Sequence, residues 1–253
     1  MANRFEGKIA LVTGGGSGIG RASALAFSRE GARVVIADID VSGGECTASL
    51  IEEAGGEADF IRTDVSREPE VEAMIARIVA AWGRLDIAHN NAGEIGTPAL
   101  TAESTEENWD LVVGTNLKGT WLCLKHEIRR MVAQGSGAIV NTASIAGLVA
   151  LPTISAYIAS KHGILGLTKV AALECAAKGI RVNAVCPGYI DTPMARRFVG
   201  DTPEALAQAG STQPLGRLGK PEEVAEAAVW LCSEASSFVT GHTLVLDGGY
   251  TAQ

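Results

Sequence analysis

Apolar positions along the chain follow two alternating patterns. Short runs of apolar, often β-branched residues are separated by longer stretches in which apolar residues recur with helical spacing. Such continuous apolar runs are typical of strands buried on both faces, as in parallel sheets. Strands are predicted at residues 8–13, 33–38, 58–62, 85–90, 138–142, 180–185 and 243–246. Helices are predicted at about 19–30, 44–54, 69–82, 106–134, 154–177 and 221–233.

The regular alternation of strand and helix predicts the fold class. Right-handed crossovers between parallel strands give an α/β, doubly wound (Rossmann-type) seven-stranded parallel sheet with helices on both faces. The predicted helix at 106–134 contains Gly114 and Gly119 as candidate break points. Because no linker, repeat or low-complexity segment interrupts the pattern, residues 1–253 are expected to form a single domain.

Composition and charge narrow the class of function. The chain has 253 residues, of which 47% are hydrophobic and 20% charged, as in ordinary soluble domains. A net charge of −8 argues against a nucleic-acid or anionic-membrane partner, because both need a basic surface. No apolar run reaches 18 residues and the first residues lack a signal-peptide core, so a cytoplasmic location is expected.

Cysteine and histidine give no metal-binding pattern. The five cysteines are odd in number, widely spread and never in a C-x-x-C pair, which predicts reduced, interior thiols. The four histidines show no ligand spacing such as H-x-x-x-H. No metal site is therefore expected.

Tyr157 and Lys161 form the first candidate for chemistry. They stand four residues apart with no Gly or Pro between them, so on a helix their Cβ atoms would lie roughly 5–6 Å apart. A nearby cation lowers the pKa of a phenol, and lowering it to about 7 needs about 4 kcal/mol. One ammonium and a second positive charge could supply that in a dry cleft. Ser144 would add a hydroxyl at a strand end; a half-buried ring beside a solvated amine is the alternative.

A glycine-rich loop joins the first strand to the first helix. Gly14, Gly18 and Gly20 are spaced as G-x-x-x-G-x-G, which allows a tight turn and close approach of a pyrophosphate to the helix N-terminus. The spacing is not G-x-G-x-x-G, and the lysine of a P-loop is missing. Taken alone, the loop could be an ordinary glycine turn.

Asp38 favours a dinucleotide-binding role for this loop. It ends the second predicted strand, where a carboxylate can accept hydrogen bonds from an adenosine ribose and would repel a 2′-phosphate. Neither Ser17 nor Ile39 offers the cation that a phosphorylated cofactor would need. The sequence therefore favours NAD over NADP.

Several short motifs follow one another along the chain. They are Thr13-Gly-x-x-x-Gly-x-Gly20, Asp64, Asn90-Asn-Ala-Gly93, Asn116, Ser144, Tyr157-x-x-x-Lys161, Pro187-Gly188 and Thr192. In this order the motifs resemble those of the short-chain dehydrogenase/reductase family, in its short single-domain branch. The resemblance covers essentially the whole chain, and each motif is weak alone but specific in combination.

The resemblance implies a role for each catalytic residue. Tyr157 would be the general acid/base, and Ser144 would hold and polarise the substrate oxygen. Lys161 would bond the nicotinamide ribose and, with the positive nicotinamide, lower the pKa of Tyr157. Asn116, on a helix, would hold a water that links Lys161 to solvent; an ordinary helix amide bonded to main chain is the alternative.

The resemblance also implies a set of cofactor contacts. Ile19 would donate its main-chain N–H to the pyrophosphate, and Asp64, with Val65 beside it, would contact the adenine amine. A helix N-cap is the alternative for Asp64, and a turn for Asn90 and its neighbour. The remaining contacts, in the glycine loop, after Asp38, near the adenosine ribose and around the nicotinamide, would be Ser17, Ile39, Asn90, Ala92, Gly93, Tyr157, Lys161, Pro187, Gly188, Ile190 and Thr192.

Residues 189–217, mixed in Pro, Gly and apolar residues, suit a flexible substrate lid. Its apolar side chains and the predicted walls of the pocket favour a small to medium, uncharged secondary alcohol, such as an alicyclic alcohol or a diol. Arg196 and Arg197 could meet an anion but are interpreted as solvated. The apolar residues concerned are Met194, Phe198, Val199 and Leu206 in the lid, and Ile95, Ile145, Ala146, Leu151 and Ile154 in the walls.

Two departures from the family pattern bear on alternatives. His89 stands where the family more often has an aliphatic residue and is interpreted as a packed histidine. Leu173 precedes Glu174 where carrier-protein-dependent ketoacyl reductases tend to carry arginine, which argues against that activity.

The main prediction is thus an NAD-dependent dehydrogenase of secondary alcohols. The alternatives are an NADP-linked carbonyl or 3-oxoacyl reductase, a non-catalytic NAD-binding regulator, and a scaffold that uses only the long helices. The intact set of predicted catalytic residues argues against the regulator. By resemblance, a homotetramer built from helices 106–134 and 154–177 and the C-terminal strand is expected.

Overall fold

The computed structural model describes residues 3–253, and its centre is a parallel sheet in the order β3-β2-β1-β4-β5-β6-β7. All neighbouring strands run parallel. This confirms the predicted doubly wound fold. The strands are β1 Ile9–Thr13, β2 Arg33–Asp38, β3 Ala58–Arg62, β4 Ile87–Asn90, β5 Gly137–Thr142, β6 Ile180–Pro187 and β7 Thr243–Leu246.

Helices cover both faces of the sheet because successive strand residues point to opposite sides. In β1, Ala10 and Val12 join the core beneath α1 and α9, while Ile9 and Leu11 join the core beneath α3, α5 and α6. The helices are α1 Gly18–Arg29, α2 Val41–Glu53, α3 Glu68–Trp82, α4 Glu106–Val113, α5 Gly119–Gln134, α6 Ser155–Cys175, α7 Pro193–Val199, α8 Pro203–Ser211 and α9 Pro221–Cys232.

Chain direction across the sheet positions the functional cleft. From β1 the chain moves outward to β2 and β3 on one side, then returns to β4 on the other side of β1. The loops that follow β1 and β4 therefore diverge, and a crevice opens at the carboxyl ends of the strands.

The predicted helix 106–134 is continuous, but its α-helical pattern changes between Gly114 and Gly119. Gly114 and Gly119 both have ordinary right-handed helical dihedral angles, and a π-helical turn from Gly114 to Lys118 joins α4 to α5. The two candidate break points thus bound an interruption of the α-helical pattern, while the chain stays helical throughout, because glycine permits but does not impose a helix end. The wider turn places Asn116 in the interior.

Residues 189–217, the predicted lid, contain two short helices, α7 and α8, where no helix was predicted. Thr192 and Thr202 cap them, each accepting a hydrogen bond of 3.2 Å from a main-chain N–H three residues on. A proline follows each threonine at the first helical position. Thr-Pro is a helix-start signal that was readable in the sequence.

No helix within residues 3–253 is both long enough and apolar enough to span a bilayer.

Candidate active site

A cleft of about 510 Å³ lies over the carboxyl ends of the strands, closed on one side by α7. Clefts of this size and place are where doubly wound sheets bind ligands. Most of the predicted site residues lie on its walls, while Gly20, Asn90 and Asn116 do not. Those on the walls are Gly14, Ser17, Gly18, Ile19, Asp38, Ile39, Asp64, Val65, Ala92, Gly93, Ser144, Tyr157, Lys161, Pro187, Gly188, Ile190 and Thr192.

Lys161 lies one turn after Tyr157 on α6, with its ammonium nitrogen 5.4 Å from the centre of the phenol ring. The lysine is only 3% exposed, and it donates a hydrogen bond of 2.8 Å to the main-chain oxygen of Thr142. Burial lowers the pKa of Lys161 to about 8. Among the described residues Thr142 is its one acceptor, so two ammonium protons remain for a ligand.

In the protein alone, the pKa of the Tyr157 phenol is raised rather than lowered. Burial raises its pKa to about 12, and a hydrogen bond with Ser144 opposes that rise only in part. The side chains of this protein alone therefore keep the phenol protonated at neutral pH. The predicted lowering needs positive charge beyond Lys161.

Ser144 reaches this pair because the chain turns tightly after β5. Its hydroxyl oxygen accepts a hydrogen bond of 3.1 Å from the N–H of Ala146 and caps a short 3-10 turn. A Cβ on Gly147 would lie 2.7 Å from the main-chain oxygen of Lys161, so only glycine lets this turn pack against α6. Gly147 is a supporting residue that the sequence analysis did not identify.

Asn116 lies in the π turn, and both ends of its side-chain amide bond to protein. Its amide oxygen accepts from the N–H of Glu94 at 2.7 Å, and its amide nitrogen donates to the Glu94 oxygen at 2.8 Å and to Ser160 at 3.1 Å. A Cβ on Gly93 would lie 3.3 Å from the amide oxygen of Asn116 and 3.7 Å from the ammonium nitrogen of Lys161. Asn116 thus holds the loop beside Lys161, and a water-holding role stays a prediction.

The glycine loop is shaped for a ligand that approaches its backbone. Gly14 and Gly18 have left-handed φ angles of +63° and +50°. A Cβ on Gly14 would lie 2.7 Å from the Cα of Ala92, and one on Gly18 would lie 3.2 Å from Thr192. Gly20 has a different task from the one predicted: it faces the main-chain oxygen of Gly14 and lets α1 pack against the loop.

Asp38 is fixed at the edge of the cleft by main-chain donors. One carboxylate oxygen accepts from the N–H of Gly16 at 2.8 Å, and the other accepts from Asp40 at 2.9 Å. A carboxylate oxygen can accept more than one hydrogen bond, so capacity remains for ribose hydroxyls. Cation-bearing Arg21 lies outside the cleft wall and bonds to the oxygens of Gly16 and Gly43 instead.

Asp64 does not cap a helix, because α3 begins four residues later at Glu68. Its carboxylate accepts from the N–H and the hydroxyl of Ser66 at 3.0 and 2.7 Å, a local turn that leaves the residue on the cleft wall. The helix-cap alternative was therefore wrong, and an adenine contact stays a prediction.

The side chain of Asn90 does not face the cleft. As the last residue of β4, it points to the α5 face and donates to Glu127 at 2.9 Å and to Asn141 at 3.1 Å. Its neighbour Asn91 lines the cleft instead and donates to the main-chain oxygens of Thr13 and Gly14, while a ribose contact of this loop stays a prediction. A strand buried on both faces gives no pattern from which this direction could be read.

The part of the cleft predicted to hold the substrate is mostly apolar. The predicted wall residues Ile95, Ile145, Ala146, Leu151, Ile154, Met194 and Phe198 all line it. Val199 and Leu206 do not, while Leu111, Tyr189, Glu94 and Arg197 line it without having been predicted as walls. Arg197 lies 3.8 Å from the carboxylate of Glu94 across the cleft, whereas Arg196 pairs with Asp191 and Asp201 on the surface.

His89 is buried in the sheet interior, as expected of a packed histidine. Within residues 3–253, no three His, Cys, Asp or Glu side chains form a cluster that could hold a metal ion.

Comparison with known proteins agrees with this geometry. The family model described as Enoyl-(Acyl carrier protein) reductase matches residues 14–251. Cyclohexanol dehydrogenase from Acinetobacter sp. (strain SE19) is 43% identical and aligns over 100% of this chain and 98% of its own. Cis-4-hydroxycyclohexanecarboxylate dehydrogenase from Sinomonas cyclohexanicum is 45% identical over 100% of both chains.

Solved structures show the same fold. Levodione reductase superposes with a TM-score of 0.95 at 36% identity, covering 98% of this chain and 99% of that chain. NAD⁺-bound xylitol dehydrogenase superposes with a TM-score of 0.93 at 34% identity, covering 97% and 99%. The chain therefore belongs to the short-chain dehydrogenase/reductase family, whose members bind nicotinamide cofactors, and it is an oxidoreductase acting on CH–OH groups.

Proposed function

We propose that this protein is an NAD-dependent dehydrogenase that interconverts an alicyclic secondary alcohol, including cyclic diols, and its ketone. The observation that carries the proposal is the position of Ser144, Tyr157 and Lys161. They lie where the polar half of the cleft, beside the glycine loop, meets its apolar half. A dinucleotide in the first half would present its reactive end to an alcohol in the second.

Ser144, Tyr157 and Lys161 have different roles in the proton transfer. A bound nicotinamide accepts or returns the hydride. Ser144 holds the carbinol oxygen, and Tyr157 takes its proton during oxidation or returns it during reduction. Because burial alone raises the pKa of the phenol to about 12, the base form depends on positive charge from Lys161 and an oxidised cofactor together. The free protons of Lys161 would also bond ribose hydroxyls.

Asp38 supports NAD as the cofactor. Its carboxylate is held in place by two main-chain N–H groups, so it cannot easily swing away from a 2′-phosphate. Ile39, which follows it on the cleft wall, carries no charge. Arg21 is engaged with main-chain oxygens outside the wall. A phosphorylated ribose would therefore meet negative charge without a compensating cation.

The walls support a neutral, ring-shaped substrate. The substrate half is lined mostly by aliphatic and aromatic side chains, and its opposed charges, Glu94 and Arg197, face each other. Two similar proteins act, by name, on cyclohexane rings, and a third, 44% identical, on a cyclohexadiene diol. A compact alicyclic ring would bury well against these walls.

We also propose a homotetramer in the cytoplasm. Several large apolar side chains are exposed on the outer faces of α4, α5 and α6 and near β7, which supports association through the predicted surfaces. All five cysteines are free, which supports a reducing compartment. Light scattering coupled to gel filtration tests the tetramer. The exposed residues are Trp109, Trp121, Val170, Leu173, Phe238 and Val245.

The deciding experiment is a set of initial rates with NAD and with NADP. The panel contains cyclohexanol, cyclohexane-1,2-diols, cis-4-hydroxycyclohexanecarboxylate, aryl carbinols, acyclic hydroxy acids and sugars, with reduction of a 3-oxoacyl thioester by NADPH as the rival activity. We expect the highest kcat/KM with NAD and a cyclohexane ring, and roughly ten-fold less with NADP. NADH binding without turnover of any alcohol would favour the regulator instead.

A further inference from the structure

His89 lies in the central sheet and contacts a residue that lines the cleft. It lies in β4, beside Val12 of β1 and Val140 of β5, and is fully buried. Its Nε2 atom lies 2.8 Å from the hydroxyl oxygen of Thr142, the last residue of β5. Thr142 itself lines the cleft. A histidine in an apolar interior that reaches a cleft residue calls for a physical explanation, because burying a polar ring is unfavourable.

The hydrogen-bond pattern assigns the tautomer of His89. The Thr142 hydroxyl oxygen also lies 3.3 Å from the amide oxygen of Asn91, which can only accept. If Thr142 donates its single proton to Asn91, the Nε2 atom of His89 must carry hydrogen and donate to Thr142. The Nδ1 atom of His89 has no partner among the described residues. The opposite tautomer would leave a buried N–H unpaired there, which is the rarer defect.

Thr142 also contacts two other residues of the site, Asn91 and Lys161. Through its hydroxyl it reaches Asn91, whose amide nitrogen donates to the main-chain oxygens of Thr13 and Gly14 at 3.3 and 3.2 Å. Through its main-chain oxygen it accepts the 2.8 Å hydrogen bond from Lys161. One residue therefore contacts both the support of the glycine loop and the lysine of the catalytic pair.

His89 is suited to a fixed role rather than to proton transfer. Burial lowers its pKa to about 3, so the ring stays neutral over the working range of the enzyme. A chain of hydrogen bonds that all point the same way, from His89 to Thr142 to Asn91 to the loop, strengthens each member. An aliphatic residue would fill the strand position but could not donate.

We propose that His89 is a positioning residue that orients Thr142 and, through it, the glycine loop and Lys161. The inference rests on the proposed dinucleotide-binding function of the cleft. Without the donor at residue 89, the Thr142 hydroxyl is free to rotate away from Asn91, and the loop loses one of its supports.

A matched pair of substitutions isolates the donor. His89→Gln keeps an N–H donor at about the distance of Nε2, whereas His89→Met has a similar length and no donor. We expect His89→Met to raise the Kd for NADH roughly five-fold and to lower kcat/KM with NAD, as for the loss of one neutral hydrogen bond. We expect His89→Gln to retain most of the affinity. Kd is measured by quenching of protein fluorescence and thermal stability by calorimetry.

Two further variants separate positioning from general stability. Val140→Ala opens a cavity at the equally buried neighbour of His89 on β5 and should lower Tm without weakening NADH binding. In a Thr142→Val background, His89→Met should have little further effect on the Kd, because the shared contact is already gone.

The outcomes distinguish this inference from the proposed function. The inference is overturned if His89→Met binds NADH like the unchanged protein, if the Gln and Met variants are equally weakened, or if the effects of residues 89 and 142 simply add. If the unchanged protein does not bind NADH, the proposed function itself fails.

Discussion

The two walls of the cleft are held by different kinds of interaction. On the wall formed by the strand ends and α6, functional groups are fixed by hydrogen bonds that are buried, as between Lys161 and Thr142, or partly buried, as between Asp38 and Gly16. On the lid wall, Arg196 of α7 forms ion pairs with Asp191 and Asp201 at the protein surface. Exposed pairs of this kind contribute little free energy, whereas buried polar networks resist rearrangement.

This difference predicts that variants in the two walls will have different effects on the enzyme. Under the proposed function, the strand-end wall positions the proton and the dinucleotide, so its variants should change kcat or cofactor affinity. The predicted lid would contact the alcohol, so its variants should change selectivity and leave the cofactor unaffected.

The largest effect is expected for Tyr157→Phe, which keeps the ring and removes the proton-transferring hydroxyl. Turnover should fall roughly 10³-fold, because general acid/base catalysis contributes that order of rate. NADH affinity should be nearly unchanged. Steady-state rates and fluorescence titration check both. Tyr250→Phe is the control: Tyr250 does not line the cleft, and its ring packs on that of Tyr189. Substantial activity of Tyr157→Phe would rule out the mechanism.

Glu127→Gln tests the interior support of the strand-end wall. Burial raises the pKa of Glu127 on α5 from 4.5 to about 7, although a hydrogen bond from Asn90 opposes the rise. The folded state therefore holds a proton that the unfolded state has lost, and stability falls as pH rises from about 4.5 to about 7. The shift corresponds to about 3 kcal/mol.

The measurement is the free energy of unfolding by urea at pH 5 and at pH 8. Glutamine cannot ionise, so the variant should lose much of the decrease between these two values. Equal pH dependence in both proteins would show that Glu127 is not the titrating group.

Asp38→Ser probes the cofactor end of the same wall. Removing the fixed carboxylate should lower the ratio of kcat/KM for NAD over NADP by roughly ten-fold or more, since the repulsion of a 2′-phosphate is lost. Asp40→Ser removes a carboxylate of equal charge two residues later. A decrease of the same size in that control would mean that general charge, not Asp38, decides the preference.

The smallest effect is expected on the lid, for Phe198→Ala. Loss of this half-buried ring should lower kcat/KM for cyclohexanol about ten-fold relative to a bulkier ring alcohol, because apolar contact with the small substrate is lost. NADH affinity should not change. Leu206→Ala, on α8 and outside the cleft wall, provides the matched control. A weaker NADH affinity in Phe198→Ala would contradict the division between the two walls.

The strand-end wall is also the part that the sequence predicted best. The bounds of β2, β3 and β7 agree with prediction because each is an apolar run between clear turn signals. Tyr157, Lys161, Ser144 and Asp38 could be placed because spacing along one strand or helix fixes their location.

What the sequence could not supply are properties that depend on three-dimensional surroundings. The pKa of Tyr157 depends on how far its hydroxyl is buried, and the direction of the Asn90 side chain depends on which helix covers that face. The lid is a mixed case. The Thr-Pro pairs at 192 and 202 are helix-start signals from which two helices could have been predicted. Only the packing shows that α7, not α8, forms the cleft wall.

The π turn at Gly114–Lys118 has a consequence for the tolerance of this region to change in length. Such a turn holds one residue more than an α-helical turn, so the faces of α4 and α5 are out of phase by about 100°. A single deletion there would yield a regular helix that looks more stable locally. It would also rotate Asn116 away from Glu94 and Ser160. Deletion of one residue at this turn should therefore be selected against, even though Gly114 has open space around it.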